Sequence, residues 1–314
     1  MKFSVLYGYF FLSLSFILLL FTSCEKKVDK IAEPKTAALE LPPAKPLTAA
    51  FRNYWYQGKA EITSYELQQV RYGEVREGKA VLVFVTEPFE ASKQVKADRP
   101  NGESVSVLKL NATRKFLTGI YPYSIMSSTF YPVGDNQHAL KLTNSVQEWC
   151  GQVYAQLNNR EEFEIQAFSY FESEGDQELR LPKTPLENEL WTKLRIAPDD
   201  LPQGDFEVVP ALEYIRLKHI PFQAYKAKAK LIKKEDGMST YTLKYPELKR
   251  TLEIQFTSAF PHEIESWTET YIDGYGPNAG LMSSTAKRIN RINSPYWSQN
   301  SNVHLPLRDS LGLD

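Results

Sequence analysis

Two cysteines and four histidines are the side chains of this sequence best suited to nucleophilic or metal chemistry, and their spacing supports little of either. His138, His219, His262 and His304 lie far apart. His262-Glu263 is followed by Ile264-Glu265-Ser266, so no His-Glu-x-x-His pair forms, and there is no Cys-x-x-Cys. A zinc site is therefore not indicated. The Gly-x-Ser-x-Gly elbow, the phosphate-binding loop and the dinucleotide fingerprint are all missing. Cys150, in Trp149-Cys150-Gly151, is the one place where a nucleophile could sit. A catalytic thiol needs a base and a lowered pKa, and the nearest histidine in sequence is His138. Cysteine is among the most buried residue types, so Cys150 reads as a buried strand residue. Glu172-Ser173-Glu174-Gly175-Asp176 lacks the ligand spacing of a calcium loop and reads as a turn. The expectation is a non-enzyme without catalytic, metal or cofactor residues.

Cys24 is different, because what precedes it is an export signal. Met1-Lys2 opens with a positive charge, and Val5 to Phe21 is apolar apart from Gly8, Ser13 and Ser15. That run has the length of a secretory h-region and is short for a membrane span of roughly 20 apolar residues. It leads through Thr22-Ser23 directly into Cys24, which resembles the lipobox of bacterial lipoproteins. In that pathway the thiol receives a diacylglycerol, the chain is cut before the cysteine and the new amine is acylated. One acyl chain gives marginal membrane binding, at about 0.8 kcal/mol per buried CH₂, so three make attachment effectively permanent. No Asp follows Cys24, and the expected location is the outer membrane, facing the periplasm.

The totals bound what the exported part can be. Lys and Arg number 37 and Asp and Glu 38; residues 1–23 hold only Lys2, so the processed chain carries 36 against 38, a net −2. Such a balance argues against bulk nucleic-acid binding, which needs a basic surface. With 42% hydrophobic and 24% charged residues the chain is globular in composition. Aromatic residues reach 13%, Tyr most of all, as in β-rich proteins. Once Cys24 is lipidated, Cys150 has no partner for an internal disulfide, so stability must come from the core.

Three regions follow: a signal peptide at 1–23, a lipidated Cys24 with a Pro-containing tether at 24–50, and a β-rich domain at 51–314. Pro34, Pro42, Pro43 and Pro46 alternate with Lys, Glu and Ala in the tether. It would span roughly 30 Å as a coil and about 80 Å as a polyproline helix. Strands are expected at 61–70 and at 79–86, the second ended by Pro88, with Arg71 to Gly78 as a turn region. Asp98-Arg99-Pro100-Asn101-Gly102 is a turn, and a strand resumes at Val105. Further strands are expected at 112–118, 122–131, 139–147, 151–157 and 162–171. After a break they return at 205–209, 211–218, 223–234, 239–245, 250–257 and 262–271, with Asp236-Gly237 as a tight hairpin and a last strand at 287–293. Lys226, Lys228 and Lys230 share a face that reads as solvated, and Leu252, Ile254 and Phe256 mark a buried one. Tyr296 and Trp297 are expected to anchor an irregular tail. The break is a helix at about 184–197. Thr184 is placed as its cap, Pro185 in the first turn and Glu187 as a capping-box acid; Leu186, Leu190, Trp191 and Leu194 share one face. The predicted fold is mainly β: a large curved antiparallel sheet or open barrel with one packed amphipathic helix.

Several runs together resemble a family of bacterial lipoproteins: Tyr54-Trp55-Tyr56, Arg71-Tyr72-Gly73-Glu74-Val75-Arg76-Glu77-Gly78-Lys79-Ala80, Gly119-Ile120-Tyr121-Pro122-Tyr123-Ser124-Ile125-Met126, Gln147-Glu148-Trp149-Cys150-Gly151 and Glu187-Asn188-Glu189-Leu190-Trp191. The resemblance covers nearly the whole processed chain. Members often carry the label "septum formation inhibitor Maf", which implies a nucleotide hydrolase. The Ser-x-Ser-Pro-Arg-Arg motif of Maf pyrophosphatases is not present; the only Ser-Pro is Ser294-Pro295, followed by Tyr296-Trp297. At the level of fold the chain is also similar to the open β-barrels of periplasmic lipoprotein carriers and lipid-binding envelope proteins. The functional expectation is a non-catalytic binding module for lipid or another apolar ligand. A scaffold that meets another envelope protein is the alternative, and a nucleotide hydrolase a third. The expected partners are the membrane, through the lipid anchor, an apolar ligand or an envelope protein, and no nucleic acid.

Overall fold

The computed structural model describes Pro43 and residues 46–313. Cys24, the expected signal peptide and most of the expected tether lie outside the described residues. The described chain begins with helix α1, Ala49–Trp55, where the sequence suggested the end of the tether. Thr48 caps it: its Oγ1 accepts from Phe51 N at 3.0 Å. Phe51 and Trp55, four residues apart on one face, are buried.

The body of the molecule is one 15-stranded antiparallel sheet. Its strands are β1 (Ala60–Arg71), β2 (Glu74–Glu90), β3 (Val95–Lys96), β4 (Val105–Thr118), β5 (Tyr121–Pro132), β6 (Lys141–Glu148), β7 (Gly151–Asn159), β8 (Phe163–Phe168) and β9 (Gln177–Leu181), then β10 (Gly204–Val208), β11 (Tyr225–Lys233), β12 (Met238–Tyr245), β13 (Arg250–Thr257), β14 (Ile264–Asp273) and β15 (Gly280–Ser294). The spatial order runs from β10 to β15, crosses to β1 and β2, and continues from β4 to β9; β3 pairs only with β2. The seam joins the first and the last strand, β1 and β15, with Ala60 opposite Ser294. Alternate residues are buried along several strands, as in Leu252, Ile254 and Phe256 on β13, while Lys226, Lys228 and Lys230 on β11 face solvent.

The sheet is not closed by a ladder, yet its two edges meet. After β9 the chain reaches Pro185 and Glu187, and after β10 it reaches Val209. Val209 N donates to Pro185 O at 3.0 Å and Glu187 N to Val209 O at 2.9 Å. Thr184 Oγ1 adds a bond to Glu207 O at 2.9 Å. Edges that touch across the 14 strands from β10 to β9 require a strongly curled sheet. What it curls around is helix α2, Glu187–Ile196.

Several sequence-based expectations are corrected here. Thr184 does not cap α2. The cap is Leu186, and Glu189 at the third helical position accepts from Leu186 N at 3.1 Å. Thr184 is diverted because its hydroxyl serves the edge-to-edge junction. Pro88 does not end β2, which runs to Glu90. Its carbonyl accepts from Ala97 N, so its nitrogen points to the same side, away from β4, where no ladder donor is needed. The turn after β1 shrinks to Tyr72-Gly73, both at positive φ. Residues 211–218 form not a strand but helix α3, Leu212–Lys218. The Asn188 side chain on α2 accepts from Leu212 N at 3.0 Å and so caps α3 from outside its own segment. The last strand starts at Gly280 instead of 287, and a short helix α4, Pro306–Ser310, closes the tail. Tyr296 and Trp297 stay partly exposed and meet edge to face instead of anchoring it.

Candidate ligand-binding site

Helix α2 has no solvent face: every residue from Glu187 to Arg195 is buried. Leu190, Trp191 and Leu194 meet the apolar core as expected, with the Trp191 and Trp267 rings perpendicular at 5.3 Å. The opposite side carries charges, and each needs a partner because burying an isolated charge costs several kcal/mol. Arg195 makes a fork to Glu61, at 2.6 and 2.7 Å. Glu187 receives two bonds from Arg250, both 2.5 Å, and one from Tyr245 Oη at 2.6 Å. Arg250 Nε also donates to Glu269 at 2.8 Å. Arg114 lies 3.5 Å from Glu269 and 3.6 Å from Glu213. Glu189 accepts from Ala139 N at 2.6 Å and lies 2.9 Å from His138 Nδ1. The helix is therefore pinned to β1, β12 and β13 by charge-assisted bonds.

The ionisation states follow from this pairing. Burial by itself would raise the Glu61 carboxyl, but Arg195 beside it holds it below the ordinary 4.5. The same competition, won by Arg250 and Arg114, keeps Glu269 low. Burial is the first cause that pushes Tyr54 up to about 12, with the Glu61 carboxylate adding to it. Such groups are structural: they are locked to each other.

The open space lies elsewhere. A cavity of about 320 Å³ is enclosed between β6–β8, the loop after β8, and α3 with the chain that follows it. Its volume is at the lower end of the range for small-molecule sites, about 300–1,000 Å³. The walls are apolar where sheet and helix face one another: Val153, Ala155 and Ala167 on one side, Leu212, Ile215 and Phe222 on the other. The strand residues face inward because they fall at alternate positions of β7 and β8. The mouth is polar and holds Glu174, Arg216 and His219. His219 caps α3 in the left-handed conformation at φ 52°, which swings its ring toward the loop after β8. There Glu174 lies 2.5 Å from His219 Nδ1 and accepts from Ser169 Oγ at 2.6 Å. On the other ring edge His219 Nε2 lies 3.3 Å from Arg216 Nη1. A neutral imidazole protonated at Nδ1 satisfies both contacts, donating to Glu174 and accepting from Arg216.

Sequence reading found these residues only in part. The Glu172–Asp176 stretch is a turn region, as expected, but its Glu174 is drawn to the cavity mouth. In sequence His219 stands isolated, and Arg216 falls in a segment expected to be a strand. The signal that could have revealed them is the spacing of Leu212, Ile215 and His219, which suits one helical face. Cys150 is exposed in the turn between β6 and β7, not buried. The Glu148 carboxylate beside it is the first cause of a thiol held above its usual range, the reverse of what a nucleophile needs. Among the described residues no three His, Cys, Asp or Glu side chains are grouped so as to hold a metal ion. No helix among them is long and apolar enough to cross a membrane. Comparison of the chain with family models, with curated proteins and with solved structures finds no match in any of the three.

Proposed function

We propose that this chain is a lipid-anchored envelope protein, tethered through Cys24 to the outer membrane, that acts as a non-catalytic binding module for an apolar ligand. The observation that carries this reading is the cavity of about 320 Å³, walled largely by apolar side chains from β7, β8, α3 and Phe222, with Glu174, Arg216, His219 and the buried Asn144 among its polar lining. Helix α2 is buried against the curled sheet, and the cavity lies apart from it, between β6–β8 and α3. The test is mass spectrometry of lipids extracted with the full chain from native membranes, beside titration of the delipidated protein with an apolar fluorophore. A stoichiometric small apolar ligand or saturable probe binding is expected. Absence of both overturns the reading.

One observation favours a second reading, a scaffold that meets another envelope protein. At the sheet end opposite the chain entry, the hairpin tips carry Ile120, Trp149 and Tyr275, with exposures of 85%, 69% and 72%. Antiparallel pairing puts these turns at the same end, and Tyr72 stacks on Tyr275 while Tyr121 packs on Trp149. Photocrosslinking from position 120 in intact cells tests it, and a discrete adduct is expected if the tips dock on a protein.

A further inference from the structure

The charged residues buried in this fold obey a rule that one of them breaks. Arg195, Arg250, Arg114 and Arg291 are each within ion-pair distance of at least one carboxylate. Arg71 has no carboxylate, but Leu217 O accepts from it at 2.7 Å and Tyr72 and Tyr123 accept two further bonds. Arg216 is only 6% exposed and has neither kind of compensation. No carboxylate among the described residues forms an ion pair with it, and its Nε has no partner. Its hydrogen bonding is limited to the His219 contact at 3.3 Å, while its guanidinium carbon lies 4.5 Å over the Phe171 ring. Burial is the first cause that pushes its pKa down, the Glu174 carboxylate offsets part of that, and the Arg71 cation adds to the fall. A guanidinium has five N–H donors, so most of this one's capacity is unused.

Arg216 also lines the cavity. Glu174, at the same mouth, is already engaged through both oxygens, by His219 and Ser169. A buried cation that has no ion pair and that Glu174 offsets only at a distance is costly in the free protein and favourable once an anion reaches it. We propose that the cavity is a site for an anionic amphiphile, a fatty-acid carboxylate, with its head on Arg216 and its chain along Val153, Ala155, Ala167 and Ile215. This deepens the proposed binding function and rests on it: the apolar walls supply affinity, and Arg216 selects the charged head.

The experiment titrates the full delipidated chain with decanoate and with decanol at constant pH and salt, by calorimetry. Decanoate is expected to bind at least 10-fold more tightly than decanol. Arg216→Met should lose that preference, lowering decanoate affinity about 10-fold or more while leaving decanol unchanged, and Arg216→Lys should retain part of it. Ala167→Phe, which fills the cavity, should abolish binding of both. A structural arginine would behave differently on melting. Arg216→Met should leave the ligand-free Tm unchanged or raise it, whereas decanoate should raise the wild-type Tm and not the variant's. Decanol bound as well as decanoate, or decanoate affinity retained in Arg216→Met, overturns the anionic site and leaves an apolar-ligand module standing. A fall in the ligand-free Tm of Arg216→Met assigns the residue to the fold and likewise overturns it. No binding of either probe sinks both.

Discussion

Arg195→Met is the sharpest probe of how this fold is held. The substitution keeps most of the side chain's volume and removes the charge. In the wild type the guanidinium makes two bonds to Glu61 and one through Nε to Pro261 O at 2.9 Å, and it lies under 5 Å from the Trp55 and Phe84 ring centroids. Without it, Glu61 keeps Tyr54 as a donor and Arg291 at 3.6 Å, so it is only partly neutralised. Breaking one side of a buried pair costs about 3–5 kcal/mol, and the residual partners place this case near 3. For a folded region of this size that lowers Tm by on the order of 10 °C. Removing both charges in Glu61→Leu/Arg195→Met should recover about 2 kcal/mol of the loss, because no buried carboxylate is then stranded. Recovery stays incomplete: Tyr54 loses its acceptor, although Arg291 retains Glu263 at 2.8 Å. Urea unfolding of the four proteins of the cycle measures the coupling. A single variant within 2 °C of wild type, set against the ~10 °C expected, or a double variant no better than the single one, would refute the claim that the α2 charges pin the helix.

Other consequences are open to measurement. Glu61 and Glu269 are held below 4.5 by buried arginines, so the stability they contribute is present above that pH and is lost as pH falls through their folded values; the urea midpoint should be flat from neutral pH to about 5 and drop steeply below the ordinary carboxylate range, and Glu269→Gln should be weaker at neutral pH with a shallower acid slope. A Cβ at Gly78 would stand 2.2 Å from Lys115 O, so Gly78→Ala should cost about 1–3 kcal/mol by chemical denaturation through strain in the β2–β4 ladder. Cys150 is exposed, so protein taken from membranes should label with maleimide at a single thiol without denaturant, and Glu148→Gln should speed the reaction at neutral pH; a second reactive thiol would show Cys24 to be unmodified. Cys24→Ala should release the protein from the membrane or leave it unprocessed, read by fractionation and intact mass.

The strand-dominated fold was legible in the sequence because a strand's signal is local. Alternating polarity in 61–70, 223–234 and 250–257 and turn residues such as Asp236-Gly237 act within a few residues of themselves, and those segments are strands in the structure. Even a helix about 184–197 could be read from Leu186, Leu190, Trp191 and Leu194. Its boundary could not, since Thr184 is taken by Glu207 and Glu189 by Leu186, one a contact between distant segments. The same limit explains 211–218, where β-rich surroundings suggested a strand and an Asn188 cap from another helix decided otherwise.

Sequence by itself determined the mainly β class and the absence of familiar catalytic motifs. Both rest on residue type and short spacing, as does the proposal of an export signal ending at Cys24. Tertiary structure alone decided that the sheet curls until its edges meet at Pro185 and Val209, that α2 is buried on its charged side as well as its apolar one, and that Arg216 stands unpaired beside a cavity. Arg195 and Glu61 are 134 residues apart, and nothing in either neighbourhood names the other. Whether a buried charge is paired depends on which distant strand the fold brings beside it. For that reason the pinned helix and the candidate anion site emerge only in three dimensions.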